Sequence, residues 1–111
     1  MKRHDSRLDG YRFQLEENRR EIFDLERLAA QLHLERAKIE PMQKAAEAGN
    51  TLAAENQELA ERRARIEQSL AGIEAQLHHA RENLSEAYHG VRRHEIAASA
   101  RAEQHRRRQA N

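Results

Sequence analysis

The sequence predicts an all-α protein, two long helices folded into an antiparallel coiled-coil hairpin, on three observations. Apolar residues recur at alternating steps of three and four, two such seams flank a short break around Pro41 and Gly49-Asn50, and strand-favouring residues are scarce, with Val91 the only valine. The first seam runs through Leu8, Tyr11, Leu15, Ile22, Leu25, Ala29, Leu32 and Ile39, interrupted by Asn18 and Arg36. The second runs through Leu52, Leu59, Ile66, Leu70, Ile73, Leu77, Ala80, Leu84, Ala87 and Val91. A mean period of about 3.5 residues keeps one stripe facing a partner only if the helices supercoil to the left.

Ser6 is the expected N-cap of the first helix, with Asp9 three residues on completing a capping-box pattern and complementing the positive end of the helix dipole. That helix is expected over about 6–40. Pro41 lacks a backbone donor, and Gly49-Asn50-Thr51 supplies a C-terminal stop and a new N-cap, so the tip is expected over about 41–50. Met42 to Ala48 is compatible with helix, because proline is tolerated in a first turn. The second helix is expected over about 51–105, within one coiled-coil domain covering residues 1–111.

Folding about this tip sets Leu32 beside Arg63, Ala29 beside Ile66, Leu25 beside Leu70, Ile22 beside Ile73, Leu15 beside Ala80 and Leu8 beside Ala87. Asn18, Asn56 and Arg63 are read as polar seam residues that cost stability and penalise shifted pairings. Residues beyond about 92 have nothing opposite them in this register. They form a binding element or a frayed end.

With 35% charged residues, 4% aromatics and one proline in 111 residues, the chain fits a helical rod better than a globular core. The absence of cysteine excludes a disulfide framework, cysteine-ligated zinc and thiol catalysis. The opening Met1-Lys2-Arg3-His4-Asp5 is followed by no continuous apolar stretch, so neither a secretory signal nor a membrane span is expected, and a cytoplasmic location is. Net charge is only +1, but its distribution is uneven. Residues 1–12 carry four cations against two anions and residues 91–111 six against two, leaving an acidic middle. A hairpin brings both basic ends together, where their potentials add.

Motifs for chemistry are weak. Neighbouring His78 and His79 point to different helix faces, and Glu86-Ala87-Tyr88-His89 has a metal-type Glu-x-x-His spacing that two helices alone do not complete, so these histidines read as solvated surface. There is no glycine-rich phosphate loop, no His-Glu-x-x-His signature and no nucleophile elbow around Ser69, Ser85 or Ser99. No enzyme activity, cofactor, metal or small-molecule substrate is expected. The arginines from Arg101 to Arg108 suit a polyanion, but stacking aromatics are missing and the basic run follows the coiled coil, which argues against nucleic acid. Phe13 and Phe23 lie off the seam, so at least one is expected to face a partner.

Arg3-His4-Asp5-Ser6-Arg7-Leu8, then Phe13-x-x-Glu16-x-x-Arg19-Arg20-x-Ile22, resembles the opening of the FliJ family, the soluble rod of the flagellar type III export apparatus. Leu84-x-Glu86-Ala87-Tyr88 followed by Arg92-Arg93-x-Glu95 is similar to that family's C-terminal helix. The resemblance covers both helices but not the tip, where this chain is shorter and the family contacts the membrane-embedded export gate. It implies a two-helix stalk in the central hole of the hexameric export ATPase, meeting the export gate and export chaperones. Such a protein sits at the cytoplasmic face of the inner membrane, peripheral to it through protein contacts only. By transfer, Arg3, Arg7, Phe13, Arg19, Arg20, Tyr88, Arg92 and Arg93 are the expected partner contacts, none of them catalytic. The competing readings are a dimeric coiled-coil scaffold or adaptor and a weak nucleic-acid binder acting through the basic C-terminal tail.

Overall fold

The computed structural model describes residues 6–50 and 52–110. Two long helices pack against each other as an all-α hairpin: α1 spans Ser6–Ala45, a wide turn covers Ala46–Asn50, and α2 spans Ala53–Ala110. Among the described residues there is no strand, and no helix is long and apolar enough to cross a membrane.

All but one of the seam positions are those the spacing predicts. Ile39, Ile66, Leu70, Ile73, Leu77, Ala80 and Ala87 are buried, and Leu8, Leu15, Ile22, Leu25, Ala29, Leu32, Leu59, Leu84 and Val91 are half-buried. By their packing the helices divide into two compact units. One comprises residues 22–79, the other residues up to Glu21 together with those from Ala80 onward. In the 22–79 unit, Ile39, Ile66 and Leu70 form the core, with Ala29, Leu32 and Leu59 packed on it. In the other unit the α2 seam narrows to Ala80, Ala87 and Gly90 around Leu84.

Two boundaries at the turn differ from expectation. Helix α1 continues through Pro41 to Ala45, because Pro41 lies on the exposed side, where water can bond the carbonyl left without its helical donor. The seam accordingly runs on through half-buried Gln43 to buried Ala46. Gly49 then ends the helix at φ 86°, a left-handed conformation open to glycine but strained for other residues. Leu52, expected in the second seam, is 72% exposed. It precedes α2, and its carbonyl accepts the amides of Glu55 at 3.0 Å and Asn56 at 3.2 Å, so it occupies the capping position instead of an inward-facing helical one. The expected Thr51 cap lies outside the described residues.

The pairing register also differs. Arg63, expected beside Leu32, donates to Gln43 at 2.7 Å and forms ion pairs with Glu40 at 3.7 Å and Glu67 at 3.1 Å. Near the other end of α1, Tyr11 meets Gly90 and His94, and Arg12 pairs with Glu95 at 3.5 Å. Both observations slide α2 by about one heptad from the expected pairing. A seven-residue slide returns every seam residue to the inner face, so periodicity cannot distinguish the two arrangements. The turn decides. Its centre lies closer to Asn50 than the expected tip allowed, and each residue of displacement at a reversal moves the partner by two. Pairing therefore reaches Glu95, beyond the expected limit near 92, and α2 continues to Ala110 instead of 105, with residues 95–110 exposed.

Ile73→Asp should destabilise the fold by about 3 kcal/mol or more, since it places an unpaired carboxylate at a position only 6% exposed; exposed Glu74→Ala should stay within about 0.5 kcal/mol. Thermal melts followed by circular dichroism decide between them. Spin labels at positions 40 and 63 should lie closer than labels at 32 and 63, which are offset by about a heptad, or roughly 10 Å along the helix. The reverse order would restore the pairing read from the sequence.

Candidate partner-binding surface

The unit built from residues up to Glu21 and from Ala80 onward holds most of the sequence-derived contact residues. Its seam is thin. With alanine and glycine at Ala80, Ala87 and Gly90, α2 has little bulk to offer α1, and a notch opens that the Tyr11 ring fills. A methyl group at Gly90 would stand 2.5 Å from Tyr11 Cδ1 and Cε1, closer than van der Waals contact allows. Tyr11 also meets His94 with ring centroids 5.3 Å apart and tilted by 41°.

Two open grooves flank this seam. The first, of about 240 Å³, has a floor of Leu15 and Leu84 and a rim of Arg19, Arg81, Ser85 and Tyr88. Arg19 also pairs with Glu16 at 3.2 Å, one turn earlier on its own helix, in an exposed salt bridge. The chemistry is an apolar slot with cationic and phenolic edges, suited to an aliphatic or aromatic side chain next to a carboxylate. The second groove, of about 550 Å³, is lined by Tyr11, Gln14, Asn83, Glu86, His89 and Arg93 and is more polar.

The structure thus brings Arg19 and Tyr88 to one groove and Arg93 to the other. Arg7, Arg20 and Arg92 are exposed without lining either groove, and Arg20 pairs with Glu17 at 3.7 Å. Arg3 lies outside the described residues. Phe13 and Phe23 are both on the surface, 69% and 63% exposed. Arg81 and Ser85 escaped the sequence reading, although residues 81, 85 and 88 recur at helical spacing beside the seam and so share one edge of α2. The expected seam residue Asn18 is buried, and its Nδ2 has no hydrogen-bond partner among the described residues.

His78, His79 and His89 are exposed, and among the described residues no three histidine, aspartate or glutamate side chains gather where they could hold a metal ion. Protein-family models, characterised proteins and solved structures offer no match to this chain.

The notch carries its own prediction. Gly72→Ala, with open space around its Cβ on a helix interior, should raise stability by about 0.5–1 kcal/mol. Gly90→Ala should lose that gain, because the Tyr11 ring must leave the notch, and the nuclear Overhauser contact between Tyr11 and His94 should weaken. Equal gains with the contact intact would show that the ring does not depend on the notch.

Proposed function

We propose that this protein is a non-enzymatic stalk of the flagellar type III export apparatus, similar to the FliJ family, which enters the hexameric export ATPase and links it to the export gate and chaperones. One observation carries the reading. Residues 6–20 of the opening segment and 84–95 of the closing one lie at opposite ends of the sequence, yet they fold together as one compact unit with shared grooves. Arg19 from the opening motif and Tyr88 from the closing one line the same groove.

Charge supports the same assignment. Residues 1–21 and 80–111 together hold thirteen cations against nine anions, while residues 22–79 hold seven against ten. A basic surface steers encounter with an acidic ring lining and tolerates sliding, where a fixed apolar lock would not. Its cations have a site to act from. Arg92 and Arg93 make no ion pair among the described residues, so both remain available to an acidic partner.

Reversing Arg7, Arg92 and Arg93 to glutamate should weaken binding to the purified export ATPase and reduce the stimulation of its ATP hydrolysis. Rising salt should do the same to the unaltered chain, chiefly by slowing association, since the Debye length falls to about 8 Å at physiological ionic strength. Undiminished stimulation by the reversed variant would move the working surface elsewhere. Failure of the unaltered chain to bind the ATPase would reject the family reading.

A further inference from the structure

Helix α2 outruns its partner. Glu95 still meets Arg12 of α1 at 3.5 Å, whereas every residue from Ile96 to Ala110 is exposed. The three-four spacing does not stop with the pairing. Carried on from Val91 and His94, the latter in contact with Tyr11, the inward line of α2 passes through Ala98, Arg101, His105 and Arg108, along about 15 Å of helix. The seam keeps its period and changes its chemistry from aliphatic to basic.

The edges of this line carry no opposing charge of their own. Ala97 and Gln104 flank it on one side, Ala102 and Gln109 on the other, and Glu95, at the end nearest the hairpin, is taken by Arg12. Glu103 lies on the opposite side of the helix, where it pairs with Arg106 at 2.6 Å and Arg107 at 3.5 Å. Arg101, His105 and Arg108 make no ion pair among the described residues.

We propose that this overhang docks a helix of a partner protein, in line with α1, whose inward positions carry glutamate and glutamine at the same three-four spacing. Arg63 shows what an arginine on this seam takes from an opposing helix: it donates to Gln43 at 2.7 Å and pairs with Glu40 at 3.7 Å. The small and neutral edges let two helices approach, and the cations on the central line select a partner of opposite charge. The chain's own opening residues, with Lys2 and Arg3 against Asp5, carry the wrong charge for the stripe. Nucleic acid suits it less, because residues 95–111 contain no phenylalanine, tyrosine or tryptophan on which bases could stack. The site is independent of the stalk reading, since it lies outside both grooves and its assay contains no ATPase.

Fluorescence anisotropy of labelled probes against the full chain, at physiological ionic strength, tests it. The probes are an alanine-rich peptide of about three heptads with glutamates at its inward positions, a peptide of the same composition with the glutamates spread around the helix, and a single-stranded oligonucleotide of the same net charge. The heptad-spaced peptide should bind about tenfold more tightly than either of the others. Arg101→Gln with Arg108→Gln should remove that preference, while Arg106→Gln with Arg107→Gln, the same loss of charge on the far side of the helix, should keep it; circular dichroism should show equal helicity in both variants. Absence of binding, equal binding of the spread peptide, an oligonucleotide that binds as tightly, or a preference lost equally in both variants would each overturn the proposal.

Discussion

Burial of one three-four apolar stripe on each helix is the constraint on which the rest of this molecule depends. More than a third of the residues are charged, and neither helix has a second face able to hold it in a core. Ile39, Ile66, Leu70, Ile73 and Leu77 are each 6% exposed or less, and burial of such side chains contributes about 1.5–3 kcal/mol apiece. The backbone supplies its own hydrogen bonds along α1 and α2. The seam supplies the reason for the two helices to meet.

The bulk of that seam changes along α2. Between Ile66 and Leu77 the buried seam residues are all large. From Ala80 onward they are mostly small, and the packing becomes open enough to leave a notch and two grooves. Open grooves also lie in the 22–79 unit, beside Met42 and Leu59 and beside Leu32 and Ile66, so the notch at Gly90 is what sets the thin unit apart.

Polar seam residues have different roles in the two units. Arg63 pairs with Glu67 on its own helix and reaches across to Gln43 and Glu40, which ties α2 to α1 near the turn and favours the observed register over its neighbours. Asn18 has no such outlet. Among the described residues its buried Nδ2 lacks a partner, a penalty of about 1–3 kcal/mol for a desolvated amide, so it disfavours alternative packings at a cost in stability.

The sequence by itself determined the fold class, the face that each helix buries and the place of the break, because heptad spacing, a glycine suited to positive φ and the absence of strand formers are local properties. Tertiary structure decided the register, since a seam slid by seven residues is equally apolar: Leu32 is not beside Arg63, and Tyr11 lies on Gly90. It also decided that Pro41 stays within α1, because its exposed side can be hydrated, and that Leu52 caps α2 without entering the seam. Phe13 and Phe23 were legible as off-seam residues from spacing alone. The meeting of Arg19 with Tyr88, and of both with Arg81 and Ser85, was not, because groove neighbours on different helices are fixed by register, and register is set by the geometry of the turn.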